Sequence, residues 1–215
     1  MLITKENGMQ KIVVGDYIEF GQYRWKVLDI EDNQALLISE HIVVQQPYND
    51  VAGPVTWETC SLRKYLNGTF YNTFTPSEQK RISLSYIKND NNQWYKSDGG
   101  EDTEDYIFLL SVEELTCLYF GDSSYNLTNP SAKQRYWFQR KDKNNTKRQV
   151  LYEGSSWWWW TRSPGRDNKR AVYVHGDGNI GIQGNGTYRY SSKTIHPLTK
   201  DNAGGVRPAL WLSID

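Results

Sequence analysis

Residues 157–160 are four consecutive tryptophans, followed at once by Thr-Arg-Ser-Pro-Gly. Neighbouring side chains on a strand point to opposite faces, so Trp157 and Trp159 face one way, Trp158 and Trp160 the other. A helix would spread the run nearly round its circumference, and Pro164 and Gly165 follow too soon to let one continue. The run therefore reads as a strand that is apolar on both faces. Such a strand is either covered twice, or covered once and left with an adhesive floor on its other side. At least two of the four indoles are expected in a core, because aromatics fill interiors readily. An exposed remainder would make the floor of a binding site.

The rest of the chain supplies elements for that strand to pack against. Its 215 residues suffice for a real core without covalent staples. "DYIEFGQYRWKVLDI" alternates apolar and polar residues, then Glu31 to Gln34 interrupt before "ALLIS", which predicts a hairpin. "HIVVQQPYND" stays extended to a turn around Pro47. In "TWETCSLRKYLNGTFYNTF" the period changes: Leu62, Leu66 and Phe70 are four apart, and Asn67-Gly68 offers a stop. Thr75 to Glu78 and Ser111 to Glu114 read as capping boxes, the second opening a helix that carries Leu115 and Leu118. "SLSYI" alternates, residues 89–105 read as loop, "YIFLL" as a short buried strand, and residues 121–156 as largely polar loop. After the tryptophans, "AVYV", "NIGI" and "GTYRY" are short strands separated by glycine-bearing turns, and "VRPALWLSI" is a last strand. The two ends of the chain are expected to pair.

Composition excludes several functions. Lysine plus arginine equals aspartate plus glutamate, 25 against 25, so no global charge argues for nucleic acid or an anionic membrane. The richest basic stretch, "RYWFQRKDKNNTKR" at 135–148, interleaves cations and aromatics as a nucleic-acid site does. A solvated loop is the preferred reading, and no nucleic-acid partner is expected. Cys60 and Cys117 are the two cysteines; they read as small buried hydrophobes rather than a disulfide framework. The N-terminal ten residues lack the apolar centre of a signal peptide, and no run is long enough to span a bilayer. A cytoplasmic protein is expected as encoded, with phage-borne or surface display open by another route. The Asn-x-Ser/Thr sites at Asn67, Asn126, Asn144 and Asn185 are then incidental.

Catalytic signals are weak throughout. His41, His175 and His196 are far apart without two-ligand helical spacing. "HGDGNIGIQGNG" has glycines between short strands but no helix to receive a phosphate, so its glycines read as turns. No nucleophile and base come in a recognisable order, and Cys60 between Glu58 and Arg63 carries no catalytic signature. No catalytic residue, metal or cofactor is expected. What stands out is the polar, tyrosine-bearing composition from Arg166 to Gly204 on a thin scaffold of glycine, valine and isoleucine, the mixture that adaptable binding surfaces use. An ordinary wet sheet surface has the same composition.

In order, "TWETCSLRKYLNGTFYNTF", "DYIFLLSVEEL", "WWWWTRSPG" and "GGVRPALWL" resemble the landmarks of a bacterial and phage family of uncharacterised domains. That family is similar to the variable proteins of diversity-generating retroelements, with a C-type-lectin fold of the formylglycine-generating-enzyme type. The resemblance covers the chain from about Gly15 to Leu212. It implies an α+β, C-type-lectin-like fold: short helices packed on a small antiparallel sheet, with a loop-rich C-terminal half. Residues 1–215 would form a single domain with a flexible N-terminus at 1–11 and a ligand-binding segment at 157–215. Trp159, Trp160, Arg162, Pro164, Gly165, Arg207 and Pro208 would be the structural motif, Arg162 and Arg207 holding neighbouring strands by charge-assisted bonds. The outward ligand-binding candidates are Arg166, Asp167, Asn168, Lys169, Arg170, Tyr173, His175, Asn179, Gln183, Tyr188, Arg189 and Tyr190. The calcium-site tripeptides of sugar-binding C-type lectins are missing, as is the cysteine pair that formylglycine-generating enzymes use for copper. Neither calcium-dependent sugar binding nor oxidase activity is expected. The function expected is non-catalytic recognition of a protein or glycan through residues 166–203. The alternatives are an enzyme of this fold with a non-cysteine site, and a structural module of a phage or cell-surface assembly.

Overall fold

The computed structural model describes residues 11–188 and 203–214. The alternating residues near its start form an antiparallel meander of β1 (Tyr17–Phe20), β2 (Tyr23–Glu31) and β3 (Gln34–Ser39). The turn expected before Gln34 is there, with Asp32 and Asn33 both at positive φ, 45° and 62°, the handedness a tight hairpin needs. The one long strand expected from Asp16 to Ile30 is two strands, because Gly21 at φ 61° turns the chain between them.

β4 (Val44–Gln46) leads to α1 (Ser61–Tyr65), whose N-terminus is capped by Cys60 Sγ accepting the Arg63 N–H at 3.3 Å. The expected stop at Asn67-Gly68 fails. The chain winds on as a π-helical turn, Leu66–Phe70, and a 3₁₀ turn, Tyr71–Thr73. Asn67 is used for long-range bonds instead: its amide donates to the Ile107 carbonyl at 2.8 Å, and its oxygen accepts the Tyr106 N–H at 2.8 Å. α2 (Pro76–Gln79) starts with the expected Thr75–Glu78 capping box. β5 (Ser85–Ile87) pairs with β6 (Thr103–Asp105), so the polar stretch expected as loop ends in a strand.

"YIFLL" is buried as expected from Ile107 to Leu110, but it is not a strand. It makes one antiparallel bridge, Phe108 with Ala209, and its last two carbonyls serve Arg162: Leu110 accepts the Arg162 backbone N–H at 3.1 Å and Leu109 accepts Nη1 at 2.9 Å. The Ser111–Glu114 capping box is present, Glu114 Oε2 accepting the Ser111 N–H at 2.7 Å and Ser111 Oγ accepting the Glu114 N–H at 3.1 Å. It opens the turn Glu114–Leu118, which buries Leu115 and leaves Leu118 exposed. Residues 121–156, expected as loop, instead hold α3 (Ser124–Thr128), α4 (Ala132–Tyr136), a π-helical turn Trp137–Lys141 and α5 (Asn145–Arg148). The hairpin of β7 (Leu151–Tyr152) and β8 (Ser155–Ser156) follows.

The last strands are β9 (Trp159–Pro164), β10 (Arg170–Val174), β11 (Ile180–Gly186), β12 (Gly204–Val206) and β13 (Ala209–Ser213). β11 runs through the glycines at which a turn was expected. One sheet has the order β1-β2-β3-β13, so the C-terminal strand closes against the N-terminal hairpin. The second has the order β11-β10-β9-β12-β4, and its β12–β9 pairing is parallel. The architecture is α+β, with several small sheets and a few short helices. No helix among the described residues is long and apolar enough to cross a membrane.

The tryptophans alternate as a strand requires. Trp158 and Trp160 lie edge to face at 4.7 Å and continue through Tyr48 to Trp57 on one side and to Tyr173 on the other. Trp159 takes the opposite face, where Arg207 lies 5.0 Å from its ring and the Arg148 carbonyl accepts its N–H at 3.1 Å. Trp158, Trp159 and Trp160 are buried, and Trp157 is half-buried.

A second buried anchor is Asp105, whose carboxylate accepts from Arg63 Nε at 2.6 Å, Thr103 Oγ1 at 2.8 Å, Trp57 Nε1 at 2.9 Å and Asn67 Nδ2 at 3.2 Å. It ties β6 to α1. Asp105→Ala leaves those donors without an acceptor, and chemical denaturation is expected to show a loss of about 3 kcal/mol.

Candidate functional site

The surface expected to bind begins where β9 ends. Gly165 N–H bonds the Arg170 carbonyl at 2.7 Å, and Arg166 N–H bonds the Gln183 carbonyl at 2.9 Å. The Asn168 carbonyl accepts Val55 N–H at 2.7 Å, and the Lys169 carbonyl accepts Thr187 N–H at 3.0 Å. Asp167 lies inside the loop, 3.4 Å from both Arg166 Nε and Arg170 Nε, and its Oδ1 accepts the Lys169 N–H at 3.1 Å. The backbone of 165–170 is thus bonded to three neighbouring segments while Arg166, Asn168 and Lys169 stay exposed. Tyr188 is half-buried and reaches the same end of the sheet, bridged to Asn49.

The remaining candidates lie elsewhere. Arg170 is paired with Gly186 and Val174 with Ile180, so the β10–β11 turn is at the far end of the strands. Four residue steps along β10 make that separation ~13 Å. At that end Tyr173 is half-buried, its ring 5.5 Å from Trp158 and lying over Gly181, where a side chain would have no room. Burial, and then the charge of Asp177, push its phenol up. His175 Nδ1 is 3.3 Å from Asp177 Oδ1, and the Asn179 N–H bonds that same oxygen at 3.2 Å. Gln183 is half-buried in the middle of β11. The expected set is therefore two clusters, not one surface, and Tyr173 and Gln183 are only partly outward. Arg189 and Tyr190 lie outside the described residues. The motif residues Trp159, Trp160, Arg162, Pro164, Gly165, Arg207 and Pro208 are all buried; Pro164 and Gly165 adjoin the first cluster, whereas Trp160 and Trp159 are paired with Tyr173 and Val174 at the level of the second.

A neighbouring segment escaped the sequence reading. Residues 88–101 fold back on the end of β9, held by Asn92, which is 1% exposed. Its Nδ2 donates to the Pro164 and Ile182 carbonyls at 2.8 and 3.1 Å, and its Oδ1 accepts the N–H groups of Trp94 and Tyr95 at 2.9 and 3.0 Å. Ser97 Oγ donates to the Gly165 carbonyl, so this loop and the β9–β10 loop are joined directly. A polar cleft of about 540 Å³ opens on it, lined by Lys88, Asp90, Asn91, Gln93, Lys96 and Glu113 among others. The run of amides in "NDNNQW" was the available signal, since Asn side chains satisfy turns internally.

The strongest shifts among the described residues come from burial. Burial raises the Cys60 thiol to about 12 and holds the Tyr48 phenol well above its usual value. Burial lowers the Arg207 guanidinium to about 10, where the faces of Trp159 and Phe120 lie within 5.0 and 5.5 Å. Cys60, Tyr48 and Arg207 belong to the core. Among the described residues, no group of three or more His, Cys, Asp and Glu side chains is placed to hold a metal.

Two measurements check this description. A soluble aromatic disulfide at mildly alkaline pH should leave Cys60 unlabelled in the folded protein and titrate both thiols after denaturation, Cys117 being half-buried. Asn92→Ala should cost about 2 kcal/mol and raise hydrogen exchange at Trp94 and Tyr95 first, because those amides lose their acceptor.

No curated protein and no solved structure matches the chain. A family model does, over residues 32–214, a span that takes in β3 to β13 and both loops of this site. The chain belongs to the family described as Domain of unknown function (DUF6273).

Proposed function

We propose that this protein is a non-catalytic binding domain that recognises a protein or glycan at the β9–β10 loop and the segment that continues from it toward residue 203. The observation that carries the reading is the division of labour within 165–170. The backbone is bonded to 55, 183 and 187, while the side chains of Arg166, Asn168 and Lys169 are exposed, Arg166 pairing with the neighbouring Asp167. A surface of that kind presents directional groups at little ordering cost and accepts changed side chains without unfolding. The pairing of β13 with β3 and the passage through short helices between the two sheets support a C-type-lectin-like reading of the fold. With it goes the resemblance to the variable proteins of diversity-generating retroelements. The reading as an assembly module through exposed tryptophans is not favoured, because three of the four indoles are interior.

Tyr173 is unsuited to a test because its ring packs on Trp158. The clean variants are Arg166→Ala and Lys169→Ala, each expected to change stability by less than about 0.5 kcal/mol. Ligands selected on the wild-type domain from a glycan array and a displayed peptide library should lose binding to the double variant. A selected ligand that binds both forms equally would overturn the placement of the site. A ligand that the protein converts to a product would replace the binding reading with an enzymatic one.

A further inference from the structure

The chain's formal charge is zero, yet its exposed cations are not evenly spread. Between Lys133 and Lys147 the exposed charged side chains are Lys133, Arg135, Arg140, Lys141, Lys143 and Lys147. Asp142 falls within this stretch but is consumed: its carboxylate pairs with Arg148 Nη2 at 2.7 Å, both side chains almost wholly buried. Arg148 in turn reaches the Gly178 carbonyl at 3.2 Å, so the neutralised pair belongs to the scaffold. Gln134 and Phe138, four residues apart, turn inward, and the rest of the helical stretch becomes a basic ridge. Asp122 is the acid at its rim.

The exposed rings concentrate in the same place. Six aromatic side chains are more than a third exposed among the described residues: Tyr17, Tyr86, Tyr95, Tyr125, Tyr136 and Trp137. Tyr17 is covered by Arg24, and Tyr86 is bonded to Asp102. The other four border the ridge, and none of them stacks on another ring or on a cation among the described residues. Two clefts flank the ridge. One, of about 580 Å³, is lined by Trp94, Tyr95, Pro130, Arg135 and Tyr136 among others; the other, of about 350 Å³, includes Tyr125, Trp137, Lys141 and Lys143. Each combines open ring faces with fixed cations.

From this geometry we infer that the ridge running from α4 to α5 binds single-stranded nucleic acid, bases stacking on Tyr136 and Trp137 and phosphates meeting Arg135, Lys141 and Lys143. A polyanion without flat groups would use the cations and leave four aromatic faces wet. A duplex would hide its bases from them. Single strands match both halves of the surface. This inference is independent of the β9–β10 binding surface and revises the expectation, drawn from the overall charge balance, that no nucleic acid is bound.

The test is fluorescence anisotropy of the full chain with a labelled oligothymidylate of about 16 nucleotides, over about 50 to 200 mM salt. Three phosphate contacts give an expected log–log salt slope of about −2. Tyr136→Ala and Trp137→Ala should each weaken binding about tenfold at constant slope. Lys141→Gln with Lys143→Gln should flatten the slope by about 1.4. Lys64→Gln, on α1, should change neither, and all variants should keep the wild-type melting temperature within a few degrees. Three results would overturn the inference: no binding at the lowest salt, equal affinity for a duplex or for heparin, or ring variants that bind as the wild type does.

Discussion

The guanidinium of Arg162 joins parts of the molecule that nothing local would bring together. It is 5% exposed and makes five hydrogen bonds: two to the Lys88 carbonyl, one to the Leu109 carbonyl and two to the Glu114 carboxylate, which is 48 residues away. β9 supplies the arginine, and the three acceptors come from the loop after β5, the buried 106–110 segment and the capping box of the next helix. A planar fork of donors can satisfy acceptors in three directions at once, which a lysine ammonium cannot do with the same rigidity. Glu114 also accepts the Ser111 N–H, so the local cap and the long-range ion pair share one carboxylate. Such a pair adds little net stability over a hydrophobic equivalent, but breaking it strands a buried charge, and that penalty selects one arrangement of the segments.

The aromatic ladder depends on the same strand. The Tyr48 hydroxyl donates to the Arg162 carbonyl at 3.0 Å, and its ring lies 5.6 Å from Trp160, so the guanidinium side of β9 and its indole side are set together. Trp57, Tyr48, Trp160, Trp158 and Tyr173 then form an unbroken series of ring contacts from the Asp105 cluster to the β10–β11 turn. On the other face, Arg207 lies between Trp159 and Phe120 and donates Nε to the Ser39 carbonyl at 2.9 Å, joining the two sheets. The four tryptophans are thus chiefly a double-sided core strand. The proposed binding surface sits on the loop that follows this strand.

Features set by contacts within four residues were legible. Both capping boxes, the Asp32-Asn33 hairpin and the alternation of the indoles were readable because the groups involved are neighbours in the chain. The failures have a common cause. Asn67-Gly68 resembles a helix stop, but Asn67 gains more from Tyr106, Ile107 and Asp105 than a turn offers it. Residues 121–148 look like loop because their helices are one turn long and anchored by buried polar groups. Asn144 bonds the Asp122 carbonyl at 2.9 Å, and Arg148 bonds Asp142; neither contributes to an apolar period. "YIFLL" has strand composition, yet it pairs with β13 only at Phe108, and its last two carbonyls are taken by Arg162. Asn92 was the least visible, since its four bonds hold the segment beside the β9–β10 loop and two of them cross to β9 and β11.

By itself the sequence determined a mixture of strands and short helices, the double-sided tryptophan strand, the local caps and turns, and a polar, tyrosine-bearing C-terminal segment. Each rests on periodicity or on neighbour chemistry, which the order of residues specifies directly. Only the tertiary structure decided which polar groups remain available. It divided the expected surface between two ends of β10 and built a polar cleft from an unremarked loop. It also left a basic, aromatic ridge exposed on a chain whose charges sum to zero. A sum cannot show that Asp142 is spent on Arg148 inside the protein, because burial and pairing depend on distant segments whose approach no local pattern encodes.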